Sequence, residues 1–214
     1  DVVLGAIDAR FRLGGREASS DRQQGGFLMS LRIGGVAALV GAALVLAALV
    51  AGTGLVEVDV EPAVGMAVMT VGLVAMLIAL IGLSAFQART HPRLAWAAFA
   101  VPALGLVASL VGTIRMSSDG DASWSLWFGG LLTFFAGSVL FAIATYRTRA
   151  LSRRSAGLLA LGSILPFFTP LFGLVPGTES LVIFVGLGAF ALGWAALGVE
   201  AIRLDRPASA PRPA

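Results

Sequence analysis

The chain has 214 residues, 57% of them hydrophobic and only 13% charged, with a mean hydropathy of +0.91. Soluble domains average about 25% charged and about 45–50% apolar, so an ordinary water-facing surface is excluded. There is no cysteine, which excludes disulfides, thiolate metal sites and cysteine nucleophiles.

The N-terminal tail, residues 1–26, opens on "VVLGAIDARF", which places Val3, Ile7 and Phe11 on one helical face and Asp8 and Arg12 on another. It reads either as an amphipathic helix lying on the inner leaflet, as an ordinary tail, or as the end of a longer region. Residues 27–203 form the second unit. Within it, six uncharged stretches reach the roughly 20 apolar residues that a spanning helix needs: Ile33–Val56, Pro62–Ala88, Leu94–Ile114, Ala122–Tyr146, Ser155–Thr178 and Ser180–Val199. None has the period of two that a membrane barrel requires, and a helix satisfies its own backbone in lipid. The expected fold is therefore all-α, a polytopic transmembrane bundle of six helices with both termini cytoplasmic. The Pro/Ala-rich end, 204–214, has no apolar face to bury and is expected to be a disordered cytoplasmic tail.

Alternating the spans sorts the charges. One side receives Arg10, Arg12, Arg16, Arg22, Arg32, Arg89, Arg93, Arg147, Arg149, Arg153, Arg154, Arg203, Arg206 and Arg212. The other receives Arg115 together with Glu57, Asp59, Glu61, Asp119, Asp121 and Glu179. Fourteen arginines against one is a positive-inside pattern. The formal net charge of +3 and the isoelectric point of about 10.9 could suggest nucleic acid. The sorting instead assigns Arg89, Arg93, Arg147, Arg149, Arg153 and Arg154 to topology and contact with anionic lipid, and nucleic acid is not an expected partner. Trp96, Tyr146 and Trp194 fall near inner span ends and Trp124 and Trp127 near an outer one, as amphipathic rings prefer. Glu200 stands three residues before Arg203, a spacing that allows pairing on a helix.

The chemistry-bearing residues are sparse. No span has an ionisable group at its middle, which weighs against proton relays and carboxylate-coupled transport. The single histidine, His91, precedes Pro92 in an inner loop and reads as an interfacial loop residue. "EVDVEP", with Glu57, Asp59 and Glu61, reads as an acidic outer loop rather than a cation site, because further oxygen ligands are lacking. No G-x-S-x-G elbow or phosphate-binding glycine loop occurs. No cofactor is expected, and the chain is read as no enzyme.

Two patterns concern packing and shape. Gly129, Thr133 and Gly137 lie four apart, as do Ala189 and Gly193; such spacing brings helices close in lipid, either within the chain or between two copies. "LPFFTPLFG" places Pro166 and Pro170 four apart around Thr169. It marks a kink or, with Pro102 of the third span, a transporter-like cavity. "FQARTHPR" and "YRTRALSR" share an aromatic residue followed by Arg at the third and seventh later positions; a duplicated hairpin or a shared positive-inside pressure explains both.

The stretch "LFAIATYRTRALSRRSAGLLALGSILPF" resembles a pattern recurring in uncharacterised polytopic inner-membrane proteins of GC-rich bacteria, with Ser152 where the turn usually carries Pro. The resemblance covers one hairpin and implies a bacterial inner-membrane location without an assigned activity. The expected role is a non-enzymatic accessory, regulatory or structural membrane subunit, whose partners are the lipid bilayer and either a membrane protein or a second copy. The alternative is a small transporter or exporter of apolar or uncharged solutes.

Overall fold

The computed structural model describes residues 31–47, 61–116, 120–168 and 179–204, and all the regular structure among them is helical. In chain order the elements are α1 (Leu31–Ala47), α2 (Pro62–Gln87), α3 (Pro92–Arg115), α4 (Gly120–Thr148), α5 (Arg153–Ile164) and α6 (Glu179–Leu204). A single 3-10 turn, Leu165–Phe168, continues α5. The fold is an all-α bundle. Val64–Gln87, Pro92–Arg115, Ala122–Thr148 and Val185–Leu204 are each long and apolar enough to cross a membrane; α1 is a shorter apolar helix in its described extent. At 1.5 Å per residue, a 24-residue helix reaches about 36 Å, against about 30 Å of hydrocarbon.

The helix boundaries follow local chemistry. Pro62 and Pro92 open α2 and α3, where a missing N–H costs nothing and the fixed φ suits a first turn. At the start of α5 the Ser152 hydroxyl accepts a hydrogen bond from the Arg154 N–H at 3.1 Å. After α4 the chain reverses through Arg149, which adopts φ 53°, a left-handed conformation that glycine takes without strain. Arg149→Gly should therefore stabilise the fold by about 1 kcal/mol or leave it unchanged. Thermal unfolding in detergent measures it, and a marked loss would mean that the arginine side chain holds the turn.

The expected fifth span, Ser155–Thr178, is interrupted. The α-helix ends at Ile164 and tightens into the 3-10 turn that contains Pro166. Proline has no N–H for the carbonyl four residues back, and its ring crowds that carbonyl, so an α-helix does not pass through it unchanged. Thr169 and Pro170 lie outside the described residues, as do the acids of "EVDVEP" at 57 and 59 and the tails 1–26 and 205–214.

Close backbone contacts hold the bundle together. On α3, Gly105 lies against the backbone of Phe134 and the carbonyl of Gly130, and Gly112 lies against Trp127, all on α4. Gly137 of α4 meets Pro102 of α3. On the other flank Gly162 of α5 meets Ala189 and Phe190 of α6, and Gly193 of α6 meets Leu159 of α5. Gly35 of α1 and Gly198 of α6 face each other, and Gly34 packs on Gly82 of α2. In lipid, where apolar surface alone gives no drive to associate, such backbone proximity supplies dispersion contacts.

Between these seams sits an aromatic core from α4 and α6. Phe141 and Trp194 stack with centroids 5.6 Å apart and planes 12° from parallel. Phe190 meets Phe135 edge-on at 4.9 Å and Phe134 edge-on at 5.6 Å. Trp194 is wholly buried in this cluster, a correction to its expected place among the interfacial aromatics. Its face of α6 also carries Leu197 and Ala201, both buried, and turns inward. The Trp194 indole N–H has no hydrogen-bond partner. Trp194→Phe should therefore cost no more than about 1 kcal/mol, against about 3–5 kcal/mol for Trp194→Ala. Equal losses in thermal unfolding would show that the indole N–H is satisfied in the membrane. The outside of the bundle is apolar, with Ile81, Leu104, Val107, Ile114, Leu140, Ile143 and Leu192 all exposed. In water such a surface would aggregate; in a bilayer it is the solvated face.

Candidate functional site at the arginine-rich end

Three contacts bring the helix ends at one pole into register. Gln87, in the last turn of α2, donates from Nε2 to the Thr145 hydroxyl near the end of α4 at 2.6 Å, and both residues are fully buried. Thr145 in turn donates to the Phe141 carbonyl at 2.9 Å, the usual back-bond of a buried helical threonine. Glu200, near the end of α6, reaches the start of α5, accepting the Ser152 N–H at Oε2 and the Ser155 hydroxyl at Oε1, both at 2.8 Å. The Gly35–Gly198 contact adds the start of α1 to the same pole.

This pole gathers Arg32, Arg89, Arg93, Arg147, Arg149, Arg153, Arg154 and Arg203, all exposed. The opposite pole carries Arg115 with Glu61, Asp121 and Glu179 among the described residues. The segregation is thus a property of the folded bundle as well as of the sequence.

Within the arginine-rich pole, Glu200 is the one carboxylate among the described residues. Its spacing offered Arg203 as a partner, but its two oxygens turn across to α5. There the carboxylate accepts the N–H of the N-cap residue Ser152, which has no intrahelical acceptor, and negative charge at that end complements the helix dipole. The turn between α4 and α5 is anchored on both sides of that bond. Leu151 is buried, and the Arg153 guanidinium lies over the Tyr146 ring, 4.9 Å from its centroid.

The other sequence-derived residues fall as follows. Pro102 is buried against Gly137. Pro102 faces the α3–α4 seam, and Pro166 stands in the 3-10 turn that follows α5. The close α3–α4 seam of α4 runs through Trp127, Gly130, Phe134 and Gly137; Gly129 and Thr133 stand one position off it. A side chain at Gly129 would meet nothing within 4 Å, and the exposed Thr133 hydroxyl bonds back to the Gly129 carbonyl at 2.8 Å. Gly137, Ala189 and Gly193 all lie at contacts within the chain. His91 stands at the N-cap position of α3, in an exposed turn, with no capping hydrogen bond from its side chain.

Sequence reasoning missed Gln87, Thr145, Ser152 and Ser155. Gln87 had a legible signal, a lone amide ending an apolar run, since polar side chains in such positions act as interhelical glue. The Glu200 contacts span 45 and 48 residues and carry no local signature. Gln87→Leu should loosen α2 from α4 by about 1 kcal/mol. A double-mutant cycle with Thr145→Val checks it, and additive losses would mean the bond contributes nothing.

No protein-family model, curated protein or solved structure matches this chain.

Proposed function

We propose that this is a multi-pass protein of a bacterial inner membrane with its arginine-rich pole and both termini in the cytoplasm. Its role is non-enzymatic: an accessory, regulatory or structural subunit acting through lipid and helix contacts. The observation that supports this reading most is the division of labour in the bundle. Every described charged residue lies at a helix end, while the described interior holds glycine seams, aromatic rings and scattered hydroxyls such as Ser84, Ser109, Ser138 and Ser163, with no ionisable group. Catalysis needs convergent polar groups, and solute-coupled transport through a bundle draws on polar or broken elements facing a shared cavity. Pro102, which the sequence offered for such a cavity, packs against Gly137 of α4.

Reconstitution tests the choice against transport. Liposomes containing the full chain and loaded with small uncharged solutes should leak no faster than protein-free liposomes. Saturable flux that depends on the protein would replace this reading with that of a transporter.

A further inference from the structure

We propose that the turn between α4 and α5 is a recognition site for the phosphate of an anionic phospholipid, formed by Arg149 and Arg153 and braced by Tyr146, Leu151 and Glu200. The proposal deepens the reading above and rests on it, since it takes the arginine-rich pole to face an anionic leaflet. Charge sorting alone asks only for positive charge near a span, and a loose loop would supply it. This turn is fixed well beyond that need. Leu151 is buried, the Ser152 N–H is held by Glu200 at 2.8 Å, and Arg153 is laid over Tyr146 at 4.9 Å. Arg149 occupies a left-handed backbone position that glycine would take more readily, which keeps an exposed guanidinium in the tight reversal.

Glu200 offsets one positive charge of this pole, but its two oxygens are held by Ser152 and Ser155 and the exposed guanidiniums outnumber it, so the turn stays net positive. At the start of α5 the Ser152 N–H is taken by Glu200 and the Arg154 N–H by the Ser152 hydroxyl, so the exposed guanidiniums are the groups that meet an anion. A guanidinium fork suits phosphate oxygens bidentately, and its face can rest on an aromatic ring while its edge binds. Tyr146 is half exposed, an amphipathic ring placed where headgroups lie. The ligand chemistry that fits is a phosphodiester carrying net negative charge, presented by the bilayer itself.

The test uses the full chain in neutral detergent, titrated with phosphatidylglycerol in mixed micelles and, separately, with phosphatidylcholine; native mass spectrometry counts the lipid retained. Phosphatidylglycerol should bind at least about tenfold more tightly than phosphatidylcholine. Arg149→Gln with Arg153→Gln should lower that affinity on the order of 25-fold, about fivefold per arginine. The charge-matched pair Arg32→Gln with Arg203→Gln should lower it less than about threefold, being exposed arginines outside the braced turn. Arg149→Lys with Arg153→Lys keeps the charge but lacks the fork, and should still lose most of the affinity. Equal losses from the two Gln pairs, or full rescue by Lys, would overturn the proposal in favour of simple charge counting. Displacement of the lipid by an equal concentration of inorganic phosphate would overturn it in favour of a soluble anion. Binding in detergent is independent of orientation, so failure here leaves the cytoplasmic placement standing, whereas inverted topology in cells would remove that placement whatever the titration gives.

Discussion

Gly105→Ala and Gly162→Ala are expected to destabilise the bundle by about 3 kcal/mol or more each, while Gly129→Ala leaves it within about 0.5 kcal/mol of the parent. The sign is decided by two opposing effects. Alanine favours a helix interior over glycine by about 1 kcal/mol, which would make all three substitutions mildly stabilising if nothing else changed. At Gly105, however, a methyl group would fall on the Phe134 backbone and 2.7 Å from the Gly130 carbonyl oxygen. At Gly162 it would fall on the Phe190 N and 2.6 Å from the Ala189 carbonyl carbon. Backbone atoms cannot rotate aside, so the helices must separate and the packing along the whole seam is lost. At Gly129 nothing lies within 4 Å. Thermal unfolding of the three variants in one detergent makes the comparison; equal behaviour of Gly105→Ala and Gly129→Ala would contradict the α3–α4 seam.

Glu200→Ala carries the second large effect, a loss of about 2–3 kcal/mol, because it removes the acceptor for the Ser152 N–H and the Ser155 hydroxyl together. It also leaves the arginine-rich pole without its one described carboxylate, adding repulsion among exposed guanidiniums. Glu200→Gln separates the two contributions. The amide oxygen still accepts from the Ser152 N–H, and the amide nitrogen can donate to the Ser155 hydroxyl, so about 1 kcal/mol or less should be lost. Trypsin provides a local readout, since the turn contains Arg149 and is followed by Arg153 and Arg154. Glu200→Ala should be cut there faster than the parent, and Glu200→Gln at close to the parent rate. A fast cut in both would mean that charge, and not the hydrogen bonds, holds the turn.

The bundle was legible in the sequence because its two strongest signals are local. A run such as 62–88 declares a spanning helix by itself, and Pro62 and Pro92 mark where α2 and α3 begin. The segregation of arginines was legible for the same reason, since it needs only the order of the loops. Helix rotation about its own axis was not. On α4, Gly129 and Gly130 are adjacent and chemically identical, and only the partner helix decides which of them is covered. Uniformly apolar helices give no hydrophobic stripe to break that tie, because lipid and core are equally apolar. Trp194 illustrates the same ambiguity: a tryptophan near a span end suits the headgroup region, yet its neighbours Phe134 and Phe141 on another helix draw it inward. The Glu200 brace was illegible because its partners lie a whole helix away in sequence.

The central claim is a membrane bundle whose arginine-rich pole faces the cytoplasm, and the absence of cysteine makes single-cysteine labelling its most direct test. Thr90→Cys sits in the exposed turn between α2 and α3 at the arginine-rich pole, and Glu61→Cys lies exposed before α2 at the other. In intact bacterial cells whose outer membrane admits the reagent, a thiol reagent that cannot cross the inner membrane should modify the cysteine at 61. It should modify the cysteine at 90 only after the inner membrane is permeabilised. The reverse pattern, or equal labelling of both positions in intact cells, would contradict the account.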